Sequence, residues 1–401
     1  MREISIPKRR FGRTGIMIPL LSLGGMRFQQ SWEDLESNKI EKNNQKNLEN
    51  TLNRAFSFGL NHIETARHYG SSERQIGYAF QKIGLSNSIL QTKVPPCENV
   101  LDFECQLETS FDRLKSNKVD LLSIHGINLP EHLYQTLRPG GCLEVLKRWQ
   151  KKGRIGNIGF STHGSTDLII QALESNAFDY VNLHWYYIKQ DNHTALSCAR
   201  KNDLGVFIIS PTDKGGHLHS PSKKLLELCD PLHPIVFNDL FCLRDPRVHT
   251  ISIGLAQPSD LDFHLDAVNL LNQADELVSN VKLKLEESAL NALGNEWLSS
   301  WELGLPTWEN TPGNINIPIL LWLHNLIEAW DLESYAKARY ALLGNAGHWF
   351  PGENADLLDT KITNESLKIA LRNSPWVDQI PGILRSLKDR FGGKPQKRLW
   401  S

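Results

Sequence analysis

The sequence predicts a parallel (β/α)8 barrel, a TIM barrel of the α/β class, followed by an α-helical C-terminal extension. Short apolar runs alternate with amphipathic helical stretches through most of the chain, and this alternation stops beyond about residue 291. Parallel neighbouring strands need crossover connections, which are usually helices. With 401 residues, the chain is longer than one average domain, as expected for a barrel with an appendage.

The predicted elements follow in order from the hydrophobic pattern. Residues 5–27 predict a short hairpin and a first strand, Leu20–Gly25. The other strands are predicted at His62–Ala66, Ile89–Val94, Val119–Ile124, Gly156–Ser161, Tyr180–Tyr186, Val206–Ser210 and Thr250–Gly254. Helices are predicted at Asn44–Phe58, Ser72–Ile83, Val100–Lys115, Leu143–Lys151, Ser165–Ser175, Thr194–Lys201 and Ser259–Leu271. The alternative, an open doubly wound sheet, lacks a GxGxxG motif after the first strand.

A shift in tryptophan content marks a second domain. Eight of the eleven tryptophans follow residue 296. We therefore expect a barrel over residues 1–290 and a helical, tryptophan-rich domain over residues 291–401. Within it, the pattern predicts helices at Ile319–Trp330 and Leu332–Leu343.

Composition and charge favour a protein that acts on small molecules. The formal net charge is -1 and the pI is about 6.9, which gives no electrostatic reason to expect nucleic acid or an anionic membrane as a partner. No apolar run approaches the roughly 20 residues of a membrane span, and the first residues lack the apolar core of a secretory signal, so a cytoplasmic location is expected. Six scattered cysteines without CxxC spacing predict reduced thiols rather than disulfides or a metal site.

Chemically useful side chains fall at successive predicted strand ends. Glu64 and Tyr69 follow the second strand, Lys93 lies in the third, and His125 follows the fourth. The carboxyl ends of barrel strands share one mouth, where barrel enzymes keep their chemistry. An acid, a phenol, a lysine and a histidine together suit proton donation to a carbonyl. Taken singly, each has a structural interpretation, such as a packed tyrosine, a solvated lysine, or a buried Glu64–Lys93 ion pair.

The motifs around these side chains resemble the aldo/keto reductase superfamily over about residues 3–275. The matching segments are Phe11–Gly15, Gly24–Arg27, Glu64–Gly70 with Ser72-Glu73, Gln91–Lys93, Val119–His125 and Lys152–Ser161. The resemblance implies reduction of an aldehyde or ketone to an alcohol with NADP, or alternatively NAD. It implies Tyr69 as proton donor, Lys93 lowering its pKa from about 10, and His125 orienting the carbonyl. Glu64 stands where the family has an aspartate that holds the lysine.

The same resemblance implies the cofactor residues. Ser161, Thr162 and Asn182 stand where the family binds the nicotinamide carboxamide. Ser210, Lys214 and Gly216 lie in and after the seventh strand, where the cofactor pyrophosphate is expected. Ile209 replaces an aromatic ring that stacks on the nicotinamide in many members. The segment Gly254–His264, which should read the adenosine, shows no cation for a 2′-phosphate.

The C-terminal residues are similar to a ferredoxin-like domain found in a subset of these reductases. Pro312–Pro318 looks like the end of its cluster motif, but no cysteine follows Cys242. An iron–sulfur cluster needs about four thiolates, so none is expected, and the domain is interpreted as packing over the barrel mouth or as a protein-docking surface. Glu64, Ile209 and the altered adenosine segment favour a second hypothesis, a regulatory or assembly protein. Tyr69, Lys93 and His125 favour a reductase.

Overall fold

A closed barrel of eight parallel strands dominates the first part of the chain, and it confirms the predicted fold class. The computed structural model describes residues 5–84, 87–345 and 349–393. Strands β1 (Lys8–Arg10) and β2 (Met17–Pro19) form an antiparallel hairpin. The barrel runs in chain order and closes by pairing of its last strand with its first. Its strands are β3 (Leu21–Gly24), β4 (His62–Glu64), β5 (Ile89–Val94), β6 (Val119–His125), β7 (Ile155–Ser161), β8 (Tyr180–Leu183), β9 (Gly205–Ile208) and β10 (Thr250–Gly254).

Helices follow the strands and continue beyond the barrel. They bury positions three or four residues apart, as Leu48, Leu52 and Ala55 do in the first helix. The helices are α1 (Lys42–Ser57), α2 (Ser72–Ile83), α3 (Val100–Leu114), α4 (Pro130–Leu137), α5 (Cys142–Lys151), α6 (Thr166–Glu174), α7 (His193–Lys201), α8 (Pro211–Lys214), α9 (Lys223–Cys229), α10 (Pro234–Leu243), α11 (Leu261–Leu270), α12 (Ala274–Leu293), α13 (Asn295–Ser300), α14 (Ile317–Trp330), α15 (Glu333–Tyr340), α16 (Asn364–Ala370) and α17 (Ile380–Phe391).

Four strands, β3, β4, β8 and β9, are shorter than the hydrophobic pattern predicts, and for two of them the backbone shows the cause. β9 ends at Ile208 rather than Ser210, because Ser210 adopts a left-handed conformation (φ 49°, ψ 48°) that takes the chain out of the sheet and into α8. β8 ends at Leu183 rather than Tyr186, since Tyr186 makes a local bridge with Lys189 instead of pairing along the barrel.

The hairpin closes the amino-terminal end of the barrel. Phe11 and Ile18 pack against Leu121, Tyr180 and Phe207, which are buried in β6, β8 and β9. This contact requires a glycine directly after Phe11, because Gly12 has φ +52° and an added Cβ would lie 2.3 Å from the backbone nitrogen of Gly205. With the hairpin packed against this end, the carboxyl ends of the strands form the open face expected of this architecture.

The middle of the barrel is polar, whereas barrels of this kind are usually filled by branched apolar side chains. The Oγ of Ser22 lies 2.5 Å from His62 Nδ1 and 2.7 Å from Thr250 Oγ1. Gln91 donates to Ser123 Oγ at 3.2 Å. Burial lowers the pKa of His62 to about 3, so this imidazole is neutral. The polar layer lies one side-chain repeat below the carboxyl ends of β4 and β5.

Contacts divide the chain into two compact units: residues 1–215 with 235–275, and residues 216–234 with 276–401. The domain boundary near residue 290 stays a prediction. In the second unit, Trp297 and Trp376 pack edge to face with ring centroids 5.1 Å apart. Their indole N–H groups donate to Asn325 and Ser300. These tryptophans therefore help to hold that unit's own core together.

Two expectations from composition concern membranes and cysteines. Among the helices that the structure describes, none is both long and apolar enough to cross a bilayer. The six cysteines are free thiols, and three of them are buried, namely Cys142, Cys229 and Cys242. Burial raises the pKa of Cys229 to about 12, which makes that thiol unreactive at neutral pH.

Candidate active site

Four predicted catalytic side chains lie together at the carboxyl end of the barrel. Glu64 ends β4, Lys93 lies near the end of β5, and His125 ends β6, while Tyr69 is in the loop before α2. The Tyr69 and His125 rings meet edge to face with centroids 5.7 Å apart. The Lys93 Nζ lies 4.7 Å from the centroid of the Tyr69 ring. The barrel thus assembles residues separated by up to 61 positions into one cluster.

Glu64 and Lys93 form a buried ion pair. Both side chains are almost inaccessible, at 3% and 1% exposed. Lys93 Nζ also donates to the Thr65 carbonyl oxygen at 2.8 Å. Burial and the charge of Lys214 lower the pKa of Lys93, while the adjoining carboxylate opposes this shift. The longer glutamate side chain therefore still reaches the lysine that the family's aspartate would hold.

The Tyr69 hydroxyl is held in its protonated form. Desolvation by the surrounding protein raises the pKa of this partly exposed phenol, the opposite direction to the predicted lowering by Lys93. Lys93 contacts the ring face. Trp32 packs edge-on against Tyr69 with centroids 6.3 Å apart. The cluster thus presents a neutral O–H donor, with a buried lysine beside its ring.

The three predicted carboxamide residues differ in their available hydrogen-bonding groups. Ser161 Oγ accepts from the Gly126 N–H at 3.1 Å. The Thr162 hydroxyl donates to the Ile127 carbonyl at 2.7 Å and accepts from the Gly164 N–H at 2.9 Å, so it is occupied by the backbone. Asn182 Nδ2 is buried and has no acceptor among the described residues. An orphaned amide donor fits the carbonyl of a nicotinamide carboxamide.

The predicted pyrophosphate residues fall in both compact units. Ser210 precedes α8, and Lys214 ends it. The charge of Lys214 contributes, after burial, to the lowered pKa of Lys93. Gly216 has φ +128° and belongs to the second unit, so its role stays a prediction.

A hydrogen-bonded relay at the mouth was not anticipated from the sequence. His163 Nδ1 lies 2.5 Å from His184 Nε2, and His184 Nδ1 lies 2.7 Å from the Tyr186 hydroxyl. That hydroxyl in turn donates to the carbonyl oxygen of Ile209. The sequence does contain a signal for this relay, because each of the two histidines lies two positions after a predicted carboxamide residue, Ser161 or Asn182. The relay fixes the chain directly after β7, β8 and β9.

Two arginines from distant parts of the sequence lie beside the predicted adenosine segment. Arg54 donates to the Pro258 carbonyl at 2.7 Å and forms an ion pair with Asp262. The exposed side chain of Arg27 lies against Gly254, since a Cβ added to this glycine would be 2.8 Å from the arginine Cδ. Asp260, by contrast, accepts from the backbone N–H of Ala256 at 2.8 Å. Arg27, after β3, and Arg54, within α1, thus place two cations beside a segment that contains no lysine or arginine itself.

Comparisons with known proteins agree on one family. The model of the aldo/keto reductase family matches residues 20–287. Solved structures similar to this chain include an aldo-keto reductase from Bacillus halodurans in its holo form (TM-score 0.57, 16% identity, 70% of this chain and 96% of that one). Another is an aldo-keto reductase from Klebsiella pneumoniae in complex with NADPH (TM-score 0.56, 18% identity, 70% and 95%). At these identities the structures support the fold alone. No curated protein matches the chain.

Proposed function

The chain belongs to the aldo/keto reductase family, and on that premise we propose that it reduces an aldehyde or ketone to an alcohol. Hydride comes from NADPH or NADH, and the proton comes from Tyr69. The observation that carries this proposal is the cluster itself: Tyr69, Lys93 and His125 converge at one mouth within about one side-chain length of each other. Topology alone brings the strand ends to this mouth, and it is the chemistry of the three side chains together that favours a shared role in proton donation.

In the proposed reaction, each side chain has a separate task. A nicotinamide, when bound, would supply the hydride, and Asn182 Nδ2 would hold its carboxamide. His125 lies against the Tyr69 ring, where it orients the carbonyl oxygen toward the phenol. Tyr69 donates its proton as negative charge develops on that oxygen. The Lys93 ammonium, held by Glu64, stabilises the phenolate that remains.

Binding of NADPH tests this proposal most directly. Adding NADPH to the purified protein is expected to quench tryptophan fluorescence in a saturable manner, since Trp32 packs on Tyr69 at the proposed site. A dissociation constant in the low micromolar range corresponds to about 8 kcal/mol of binding free energy. Absence of saturable quenching at about 1 mM NADPH, where even weak binding is detected, would reject the reductase proposal.

Arg27 is proposed to bind the adenosine 2′-phosphate. Its exposed side chain lies over Gly254 at the start of the adenosine segment. Replacing Arg27 by alanine is expected to weaken NADPH about tenfold, the scale of one charge-assisted contact, and to leave NADH unchanged. Fluorescence titration with both cofactors measures this difference. The exposed Arg148, which pairs with Glu104 away from the mouth, provides the control variant Arg148→Ala.

A second candidate function is a barrel that senses cofactor and regulates or assembles with a protein partner through its helical second unit. The raised pKa of Tyr69, the lowered pKa of Lys93 and the occupied Thr162 hydroxyl favour it. It predicts NADPH binding without turnover of any aldehyde or ketone.

For either function we propose a cytoplasmic location, and no nucleic acid or membrane partner. Neither function requires an iron–sulfur cluster.

A further inference from the structure

Residues 29–36, in the connection between β3 and α1, lie directly against the loop that carries Tyr69. We refer to them as the β3–α1 segment. The backbone of Gly70 approaches this segment so closely that an added Cβ would lie 2.0 Å from the Ser31 carbonyl oxygen. The Trp32 ring of the segment meets the Tyr69 ring edge to face. Because the two stretches are in contact through both backbone and side chains, a shift of one is expected to move the other.

Asp34, in the same segment, contacts three arginines. Its Oδ2 lies 3.4 Å from Arg67 Nη2, and its Oδ1 lies 3.3 Å from Arg74 Nε. It also forms an ion pair with Arg113. The arginines come from three places, namely the Tyr69 loop, α2 and α3. Their side chains are only 8% to 21% exposed, so water and salt screen these contacts less than those of a surface ion pair. Asp34 thus ties the β3–α1 segment to the Tyr69 loop and to two helices.

The arrangement of the three guanidinium groups depends on the charge of Asp34. The other carboxylate near Arg74 is Glu36, but it lies 3.8 Å away and is 69% exposed, so this pair contributes little. Within the part of the chain that the structure describes, Nε and Nη1 of the buried Arg113 have no hydrogen-bond partner. Without the carboxylate that they share, the three cations would repel one another. Neutralising Asp34 is therefore expected to displace the segment.

Arg67 connects Asp34 to the catalytic cluster. It lies two residues before Tyr69, and its backbone N–H donates to the Lys93 carbonyl oxygen at 2.9 Å. Its Nη1 lies 3.7 Å from the fully buried carboxylate of Glu73. The side chain of Arg67 thus lies between a buried carboxylate and Asp34. A displacement of this side chain acts on the backbone that carries Tyr69 and contacts β5.

From these contacts we propose that Asp34 is a positioning residue for the reaction. Through Arg67 and the β3–α1 segment, it holds Tyr69 in the orientation that proton donation needs. The inference rests on the proposed reductase function, because Tyr69 donates a proton only in that proposal. A change remote from the reacting atoms that misplaces them by about 1 Å can cost about a hundredfold in rate. A carboxylate that does not itself react can therefore set the turnover.

Fluorine NMR of protein labelled with 5-fluorotryptophan tests the positioning without turnover. The Trp32 signal is identified by its loss in Trp32→Phe, and the other ten tryptophans report on the rest of the fold. In Asp34→Asn we expect the Trp32 signal to shift while the other signals keep their positions. The matched control is Asp203→Asn, because Asp203 pairs with Arg10 at 2.6 Å and both side chains are more than half exposed. The control should leave the Trp32 signal in place.

Steady-state kinetics test the consequence for the reaction. Asp34→Asn is expected to lower kcat by about ten- to a hundredfold, the scale of a small misplacement of reacting groups. The dissociation constant of NADPH, measured by calorimetry, should stay unchanged, since Asp34 is not among the predicted cofactor residues. Asp34→Glu keeps the negative charge and should recover most of the lost kcat. Asp203→Asn should change neither constant.

Arg67→Gln is the second variant, and it decides the question if Asp34→Asn does not fold. It removes the link from Asp34 to the Tyr69 loop and leaves the other two arginines on the carboxylate. We expect kcat to fall by a similar factor, again with unchanged NADPH binding.

The proposal is overturned if the Trp32 signal of Asp34→Asn stays in place, or if Arg67→Gln keeps the kcat of the unmodified protein. An unmodified protein that turns over no carbonyl would count against the reductase proposal by itself. In that case a shifted Trp32 signal in Asp34→Asn still supports the positioning of the segment against Tyr69, and an unshifted one overturns it.

Discussion

Replacing Tyr69 by phenylalanine is expected to lower carbonyl turnover about a thousandfold, within the range for loss of a general acid. The substitution removes one oxygen and keeps the ring that contacts His125, Trp32 and Lys93. Because the raised pKa of the phenol keeps it neutral, no charged partner is left unpaired. NADPH binding and thermal stability should therefore stay close to those of the unmodified protein.

Turnover is measured as NADPH consumption over a panel of aldehydes and ketones, and binding by fluorescence. Tyr134→Phe is the matched control, since Tyr134 is 68% exposed on α4 and lies outside the catalytic cluster. If Tyr69→Phe keeps most of the turnover, another group donates the proton. If the unmodified protein binds NADPH but turns over no carbonyl, the second candidate function is favoured.

Replacing Lys93 by methionine is expected to destabilise the protein by about 3 to 5 kcal/mol, because it leaves the Glu64 carboxylate buried without its partner. Turnover should fall with it, since the phenolate of Tyr69 loses its cation. Adding Glu64→Gln in the same protein removes the stranded charge. The double variant should recover most of the stability and none of the turnover.

Urea denaturation followed by circular dichroism gives the change in unfolding free energy, and the carbonyl panel gives turnover. The single and double variants distinguish a catalytic role of the Glu64–Lys93 ion pair from a purely structural one. A double variant that regains both stability and turnover would mean that the pair is structural only. A Lys93→Met protein as stable as the unmodified one would mean that Glu64 is already protonated in the barrel.

The barrel could be predicted from the sequence because its signals are local. β5, β10 and α2 have the same bounds in the structure as in the hydrophobic pattern. The convergence of Glu64, Lys93 and His125 followed from one topological rule, that parallel strands share a carboxyl edge. No side-chain detail was needed for it.

The features that escaped prediction depend on contacts between distant side chains. The occupied Thr162 hydroxyl, the bond between His163 and His184, and the approach of Arg27 to Gly254 all arise from loop conformations that hydrophobic periodicity does not encode. The early end of β9 has the same origin, because it depends on a left-handed backbone at Ser210.

The polar layer inside the barrel has a consequence for how this sequence can change over evolution. An apolar core tolerates exchanges of similar volume one at a time. Here the Ser22 hydroxyl contacts both His62 and Thr250, across three strands, so an apolar replacement of Ser22 leaves two buried polar groups without that partner. Substitutions at these positions are permissible mainly as coordinated sets. The residues inside the barrel, below Glu64 and Lys93, are therefore expected to change together during evolution, whereas residues of the outer helices can change one at a time.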